Sequence, residues 1–254
     1  MSFGQLDTIK KIVKYNLIFE PDSNNRNHKL SEKFDLIIGN DFSMYVSQYL
    51  LKREAYIADL LKQGSLGTLS EINLSGLPKS RFQSKIIFRN GDSVLQNYSQ
   101  ILMEKYWYEF NIPTWKITLE NKTIGTYKCQ QATGNYGGRN FIIWFAPDIP
   151  IFDGPFVFKN LPGLVIQAYD VKMHYLFEFE SIDQPPGEAT FEVHDESAQK
   201  LSRKEFKNVK RNFQENTVLQ LEQNGFKMSD ENKETFMRNR ENAKRVNNNP
   251  LELE

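Results

Sequence analysis

The most informative part of this sequence is the stretch GRNFIIWFAPDIPIFDGPFVFKNLPGLVIQAYD, from Gly138 to Asp170. After the opening glycine, six of its residues are proline or glycine, and they separate short runs of aromatic and β-branched residues. Such runs are typical of β-strands, and Pro and Gly at their ends are typical of rigid turns. The stretch therefore predicts strands joined by tight turns that the sequence specifies.

The strand pattern extends outward over residues 8 to 195. Apolar residues alternate with polar ones in residues 8 to 19, and residues 33 to 47 predict a hairpin through Gly39 and Asn40. Further strands follow from Phe82. Because no helical pattern among these strands is long enough for parallel crossovers, we expect an antiparallel core over residues 8 to 195. Residues 49 to 80 have helical spacing followed by a Ser- and Gly-rich run, which predicts a mobile helical insert.

Beyond residue 200 the pattern becomes helical. Ser202 followed by Glu205 is a capping-box sequence, and Ser229 can cap a second helix. We expect the helices of residues 200 to 246 to pack on the sheet. The sequence therefore predicts a mainly β (α+β) protein, in which residues 1 to 254 form a single domain. Its sheet is expected to be curved and antiparallel, or an open half-barrel, with C-terminal helices.

Composition narrows the function classes. Lys and Arg total 32 and Asp and Glu total 32, so no net charge draws the chain to nucleic acid. No apolar run reaches the length of about 18 residues that predicts a transmembrane helix. The single cysteine, Cys129, excludes an internal disulfide, and the three histidines show no metal-ligand spacing. We therefore predict no metal and no cofactor.

A series of motifs resembles the GLPGLI family of the Bacteroidetes. Their residues, in order, are Trp115, Ile124 to Ala132, Gly138 and Arg139, Trp144, Ile149 and Pro150, Gly154 and Pro155, Asn160 to Val165, and Asn249 to Glu252. The chain departs from the family at Asn160, Val165 and Asp148, where Gly, Ile and Glu are usual. The resemblance implies an exported protein of the cell envelope, periplasmic or secreted, and we expect this chain to be its mature form. It implies no established chemistry.

The family's naming motif predicts a structural corner. Pro162 presets the φ of the first turn position and Gly163 can take the positive φ of the second, which favours a type II turn from Leu161 to Leu164. The two leucines would hold this turn to the core. Asn160 tolerates positive φ better than other residues that carry a Cβ.

Aromatic and charged side chains suggest a ligand site. Tyr108, Trp115 and Trp144 could line a cavity on one face of the curved sheet, although aromatic residues at strand spacing equally fit a core. Arg139 could bind a carboxylate ligand, or it could pair with Asp148 and brace the loop.

A nucleophile is the alternative. Cys129 would need a histidine, His174 or His194, within hydrogen-bond reach. Its place in an alternating strand also fits an inert core cysteine, since free cysteine is among the most buried residue types.

These observations favour a non-enzymatic binding or chaperone-like protein for an apolar or peptide-like client. The alternatives are an exported hydrolase or peptidase that uses Cys129 with His174, and an interaction protein that docks an envelope partner through its C-terminal helices. In the latter case the basic residues Arg238, Arg240, Lys244 and Arg245 would face the partner.

Overall fold

The computed structural model describes residues 5–62, 79–102, 104–185, 187–193, 195–225 and 229–253. The strands in these ranges are β1 (Leu6–Thr8), β2 (Lys11–Phe19), β3 (Leu30–Ile38), β4 (Phe42–Ser47), β5 (Ser84–Arg89), β6 (Val94–Ile101), β7 (Glu104–Asn111), β8 (Lys116–Ile124), β9 (Tyr127–Tyr136), β10 (Arg139–Ala146), β11 (Leu164–Asp170), β12 (Tyr175–Asp183), β13 (Thr190–Glu192) and β14 (Gln199–Lys200). The helices are α1 (Gln48–Lys62), α2 (Arg203–Glu215), α3 (Thr217–Gln223) and α4 (Asp230–Val246).

Twelve strands of the described residues form one sheet in the order β14-β7-β6-β5-β4-β3-β2-β12-β11-β10-β9-β8. Neighbouring strands are antiparallel, except that the two residues of β14 pair with β7 in parallel. Strands β1 and β13 form a separate two-stranded sheet. The predicted mainly β class, with a large antiparallel sheet followed by helices, is confirmed, and β14 makes the sheet a mixed one.

The large sheet curls until its ends approach one another. Phe110 in β7 and Tyr136 in β9 stand near opposite ends of the strand order, yet their ring centroids are 6.2 Å apart. The edge strands β8 and β14 are not paired with each other in the described chain, so the barrel stays open. The inner face of the curl is apolar, and β2 buries every second side chain there: Val13, Tyr15, Leu17 and Phe19.

Each face of the sheet carries its own core. On the inner face, Val157, Phe158 and Leu161 of the loop from 147 to 163 are buried in one cluster with the inward side chains of the strands. On the other face, Phe191 of β13 packs with Met44 of β4 in a second cluster, and residues of α1 lie against it. The inner face is therefore filled by the protein's own loop.

The prediction of a type II turn from Leu161 to Leu164 is wrong, because the Leu164 N–H does not bond to the Leu161 carbonyl. The Gly163 N–H donates to the Leu161 carbonyl at 2.8 Å, while the Leu164 N–H donates to the Ile149 carbonyl at 3.2 Å. Gly163 has φ 154°, compared with about +80° in a type II turn. Leu164 already belongs to β11 and bonds to the neighbouring loop, so the turn cannot close on itself. Positive φ is confirmed at Gly163, and Asn160 has φ 60°.

The helices differ in how they contact the sheet. The Ser202 side chain accepts from the Glu205 N–H and the Glu205 side chain accepts from the Ser202 N–H, which confirms the capping box. Helix α2 packs on β7 through buried Phe206, whose ring lies 5.2 Å from that of Tyr108. Helix α4, in contrast, buries no residue.

The predicted mobile insert is only partly described. In the predicted mobile insert, residues 49 to 62 belong to α1, and residues 63 to 78 lie outside the described residues. Within the described ranges, no helix combines the length and apolar character needed to cross a membrane.

Candidate functional site

A buried ion pair anchors the loop that fills the inner face. The Lys159 side chain is 0% exposed, and its Nζ lies 2.5 Å from Asp153 Oδ1 and 2.7 Å from the Gly154 carbonyl. Asp153 Oδ2 accepts a hydrogen bond from Ser43 Oγ in β4 at 2.5 Å. Burial lowers the pKa of Lys159, and the Asp153 carboxylate opposes that shift. The pair ties the loop to β4 of the sheet.

The structure does not bring the predicted aromatic ligand residues to one cavity. Tyr108 lies under α2, where burial raises its pKa to about 12. Trp115 lies 5.4 Å from Phe158 between ring centroids and covers Gly134 so closely that a Cβ there would be 2.5 Å from the indole. Both side chains therefore pack the protein's own segments.

Arg139 pairs with Asp170 rather than with the predicted Asp148. Its Nη1 lies 3.1 Å from Asp170 Oδ2, and both side chains are buried. Phe141 is opposite Asp170 in the β10–β11 register, so Asp170 lies near the start of β10, where Arg139 is. Asp148 follows the other end of β10 and is exposed. The antiparallel pairing of β10 with β11 therefore brings Asp170 to Arg139, although Asp148 is closer to Arg139 in the sequence.

The remaining donors of Arg139 bind the C-terminal segment. Nε donates to the Leu251 carbonyl at 2.9 Å, and Nη2 donates to Asn249 Oδ1 and to the Pro250 carbonyl, each at 2.6 Å. The last contact is from Nη1 to His174 Nδ1 at 3.2 Å. Because a guanidinium has five N–H donors, Arg139 has no donor left for a carboxylate ligand.

Other groups hold the same C-terminal segment. The Tyr175 hydroxyl donates to the Asn249 carbonyl at 2.5 Å, and Asn249 Nδ2 donates to the Glu20 carbonyl at 2.7 Å. Glu252 accepts from the Tyr136 hydroxyl at 2.7 Å and from Arg203 of α2 at 2.5 Å. Residues 249 to 252 thus join β9, β10, β12 and α2.

The structure does not bring Cys129 and His174 together. Cys129 is 2% exposed, and burial raises the pKa of its thiol. His174 lies in the turn between β11 and β12, next to Arg139 and Asp170. The strand register places Cys129 at the opposite end of the sheet from this turn, about six residues along the strands, on the order of 20 Å at about 3.3 Å per residue. His194 lies outside the described residues.

The outer edge of the sheet at β8 is open. Among the described strands, β8 pairs only with β9, through a hairpin with the two-residue loop Gly125 and Thr126. A two-residue loop makes Ile124 and Tyr127 a hydrogen-bonded pair, and hydrogen-bonded positions alternate along each strand. The main-chain N–H and C=O groups of Asn121 and Thr123 therefore point away from β9. Such groups are a template for one more strand.

An apolar side chain projects from this edge at a fixed position. A bulge interrupts β8 between Ile117 and Asn121. The bulge is held by Gln130 Nε2, which donates to the Thr118 carbonyl at 2.8 Å, and by Asn121 Nδ2, which donates to the Leu119 carbonyl at 2.7 Å. Leu119 is 93% exposed and Ile117 is 44% exposed. Leu119 and Ile117 are therefore apolar side chains that solvent reaches at this edge.

Lys122 links this edge to two of the predicted ligand residues. Its Nζ lies 4.3 Å from the ring centroid of buried Trp144. Lys122 also lines a shallow depression together with Asp148 and Cys129. Sequence reasoning singled out neither Lys122 nor Leu119. The available signal was the charge on Lys116, Glu120 and Lys122, since charged residues are typical of edge strands.

No group of His, Cys, Asp and Glu side chains in the described ranges could hold a metal ion.

The fold resembles solved structures of PNGF-II. One, in space group P21, has a TM-score of 0.52 at 13% sequence identity, and another, in space group C2, has a TM-score of 0.55 at 12% identity. Both alignments cover 79% of this chain but only 32% of the PNGF-II chain. No family model and no curated protein matches the sequence. At this identity the likeness to PNGF-II shows a shared fold and nothing about activity.

Proposed function

We propose that this chain is an exported binding protein of the cell envelope, of the GLPGLI type, which holds a peptide-like client as an added strand beside β8. The observation that carries the proposal is the open edge itself, with Leu119 93% exposed. The client is an extended segment with apolar side chains at alternate positions. Its main chain bonds to Asn121 and Thr123, and its side chains cover Leu119 and Ile117.

The placement of the other candidate groups favours binding at the edge. The inner face is filled by the loop that Lys159 anchors, so an apolar client has no room there. Cys129 is buried away from His174. Arg139 donates hydrogen bonds to main-chain carbonyls of the C-terminal segment and is not free to bind a ligand. These positions support a binding role in preference to the hydrolase alternative.

The test removes one outward donor. Thr123→Pro deletes a main-chain N–H that points away from β9, so the hairpin should survive, because edge strands tolerate Pro where the N–H faces solvent. We expect the affinity for a labelled peptide of alternating Val and Thr, measured by fluorescence anisotropy, to fall about tenfold, which corresponds to about 1.4 kcal/mol. Leu119→Asp should have a similar effect.

The matched control is Thr123→Val, which changes the same side chain but keeps the N–H, and it should bind the peptide as the wild type does. Circular dichroism of each variant checks folding. Equal peptide affinity for folded Thr123→Pro and the wild type would exclude strand addition at β8.

A second role is favoured by α4. This helix buries no residue and exposes Arg238, Lys244 and Arg245, as expected of a helix that docks an envelope partner. Reversing Arg238 and Arg245 to Glu should then weaken partner binding while the peptide affinity of the β8 edge stays unchanged.

A further inference from the structure

The ion pair of Asp153 and Lys159 holds an amine against a carboxyl group away from solvent. Lys159 Nζ lies 2.5 Å from Asp153 Oδ1, and the two side chains are 0% and 7% exposed. Within the described ranges, neither group forms an ion pair with any other residue. Val157, Phe158 and Leu161 of the same loop are buried in the apolar cluster of the inner face. The pair therefore lies in a region of low polarity.

We propose that Lys159 and Asp153 condense, once the chain has folded, into an isopeptide bond between Nζ and Cγ. The fold holds both reacting groups in contact, which replaces a bimolecular encounter by a step within one molecule. Ionised groups lose their hydration in such a site, which favours proton transfer within the pair to give a neutral amine and a carboxylic acid. The neutral amine is the nucleophile.

Three hydrogen bonds orient the two groups for this reaction. Ser43 Oγ donates to Asp153 Oδ2 at 2.5 Å, the Gly154 N–H donates to Asp153 Oδ1 at 2.6 Å, and the Gly154 carbonyl accepts from Lys159 Nζ at 2.7 Å. Ser43 is itself 0% exposed. Negative charge develops on Oδ2 when the nitrogen attacks Cγ, so the Ser43 hydroxyl stabilises the tetrahedral intermediate as a donor in an oxyanion hole does.

The reaction needs no group from outside the pair to balance. One proton of the Lys159 ammonium passes to Asp153 Oδ1, and the nitrogen lone pair then forms a bond to Cγ. A second proton passes to Oδ1, the Cγ–Oδ1 bond breaks, and one water molecule leaves. The third proton stays on the amide nitrogen, where the Gly154 carbonyl accepts it. The product replaces two buried charges by a neutral amide that keeps its hydrogen-bond partners.

The bond closes residues 153 to 159 into a ring around a strained part of the loop. Phe156 has φ 52° and lies inside the ring, and Asn160, with φ 60°, follows it directly. Residues with a Cβ keep such conformations only where the surrounding structure imposes them. The link therefore fixes the shape of the loop that fills the inner face, and it does so independently of client binding at β8.

The test is the mass of the purified full chain and of its tryptic peptides. A linked chain is lighter than its sequence by one water molecule, about 18 Da. Trypsin does not cleave after a lysine whose Nζ is an amide, so residues 140 to 172 should be recovered as one peptide. Its fragment ions should place the link between Asp153 and Lys159. An unlinked chain gives residues 140 to 159 and 160 to 172 as separate peptides.

Lys14 and Asp183 form an internal control in the same digest. Their Nζ and Oδ2 atoms are also 2.5 Å apart, but the side chains are 38% and 40% exposed. This pair should stay unlinked, because water stabilises both groups in their charged forms. Lys159→Arg keeps the positive charge without an amine nucleophile and should have the full mass of its sequence. Ser43→Ala should slow the appearance of linked chain after a pulse of synthesis by about tenfold or more.

A wild-type chain of full mass overturns the proposal, whatever the variants show. So does a light chain that trypsin still cleaves after Lys159, because the water has then left another site, such as a cyclic imide of Asp153 with the Gly154 nitrogen. A light chain in Lys159→Arg, or a link at Lys14, also contradicts it. Equal rates for Ser43→Ala and the wild type overturn the role given to the Ser43 hydroxyl.

Discussion

At the residue scale, Gly163 shows that close approach of the backbone matters more here than conformational preference. The sequence motif predicts positive φ at this position, and the structure has it. The structure adds that a Cβ on Gly163 would lie 2.2 Å from the Ala146 carbonyl oxygen, at the end of β10. A residue that tolerates positive φ but carries a Cβ would therefore still overlap the Ala146 carbonyl.

We expect Gly163→Ala and Gly163→Asn each to lower the free energy of unfolding by about 3 kcal/mol or more, because backbone strain and steric overlap act together. Gly91→Ala is the control: Gly91 has φ 88° but nothing within 4 Å of the added Cβ, so about 1 kcal/mol is expected. Urea unfolding midpoints measure both. If Gly163→Asn lost no more stability than Gly91→Ala, the overlap with Ala146 would have to be relieved by a shift of the backbone.

At the element scale, the stability of a helix depends on what it packs against. Helices α2 and α4 each follow an N-cap serine, Ser202 and Ser229, whose side chain accepts a backbone N–H. Helix α2 buries Phe206 against β7, whereas α4 buries no residue. The two caps are alike in chemistry but differ in their coupling to the rest of the fold.

Ser202→Ala should therefore lower the free energy of global unfolding by about 1 kcal/mol, the usual effect of losing an N-cap. Ser229→Ala should leave global unfolding unchanged and only reduce local helicity, because α4 has no fully buried side chain that anchors it to the core. Chemical denaturation measures the first effect, and amide hydrogen exchange of residues 230 to 233 the second. Equal losses of global stability would show that α4 is coupled to the core.

At the scale of the whole molecule, the C-terminal segment holds distant parts of the chain together. Arg139 is separated from its acceptor at Leu251 by 112 positions in sequence. His174 lies in the same cluster, with its Nδ1 facing Arg139, 3.9 Å from Asp170, and its Nε2 3.9 Å from Glu20. The protonation state of this histidine therefore bears on how the segment is held.

Burial lowers the pKa of His174 below its ordinary value of 6.5; Asp170 opposes the shift and Arg139 adds to it. The unfolded chain then binds a proton before the folded one does. The contribution of His174 to stability is complete above about pH 6.5 and is lost as the pH falls through the lowered folded pKa.

We expect the wild type to lose more stability than His174→Gln when the pH falls from about 7.5 to about 5, since the variant lacks this proton uptake. Denaturant unfolding of both proteins across this pH range measures the difference, in which the acidic groups common to both cancel. A wild type that gains stability relative to the variant at low pH would show that the pKa of His174 is raised in the fold.

The local features of this protein can be predicted from its amino-acid sequence. Period-two alternation predicted the strands, Gly39 and Asn40 marked the hairpin turn between β3 and β4, and Ser202 with Glu205 marked the start of α2. These predictions held because each depends on residues a few positions apart, where backbone and capping preferences act directly.

The contacts between distant groups could not be predicted from the sequence and are seen in the folded protein. It placed Arg139 against Asp170 and the C-terminal segment, set Ala146 against Gly163, filled the inner face with the loop of Lys159, and left β8 as an open edge with Leu119 exposed. These contacts depend on strand order, register and the curl of the sheet. Those properties arise from packing between segments far apart in the chain, so the pattern of any one segment does not contain them.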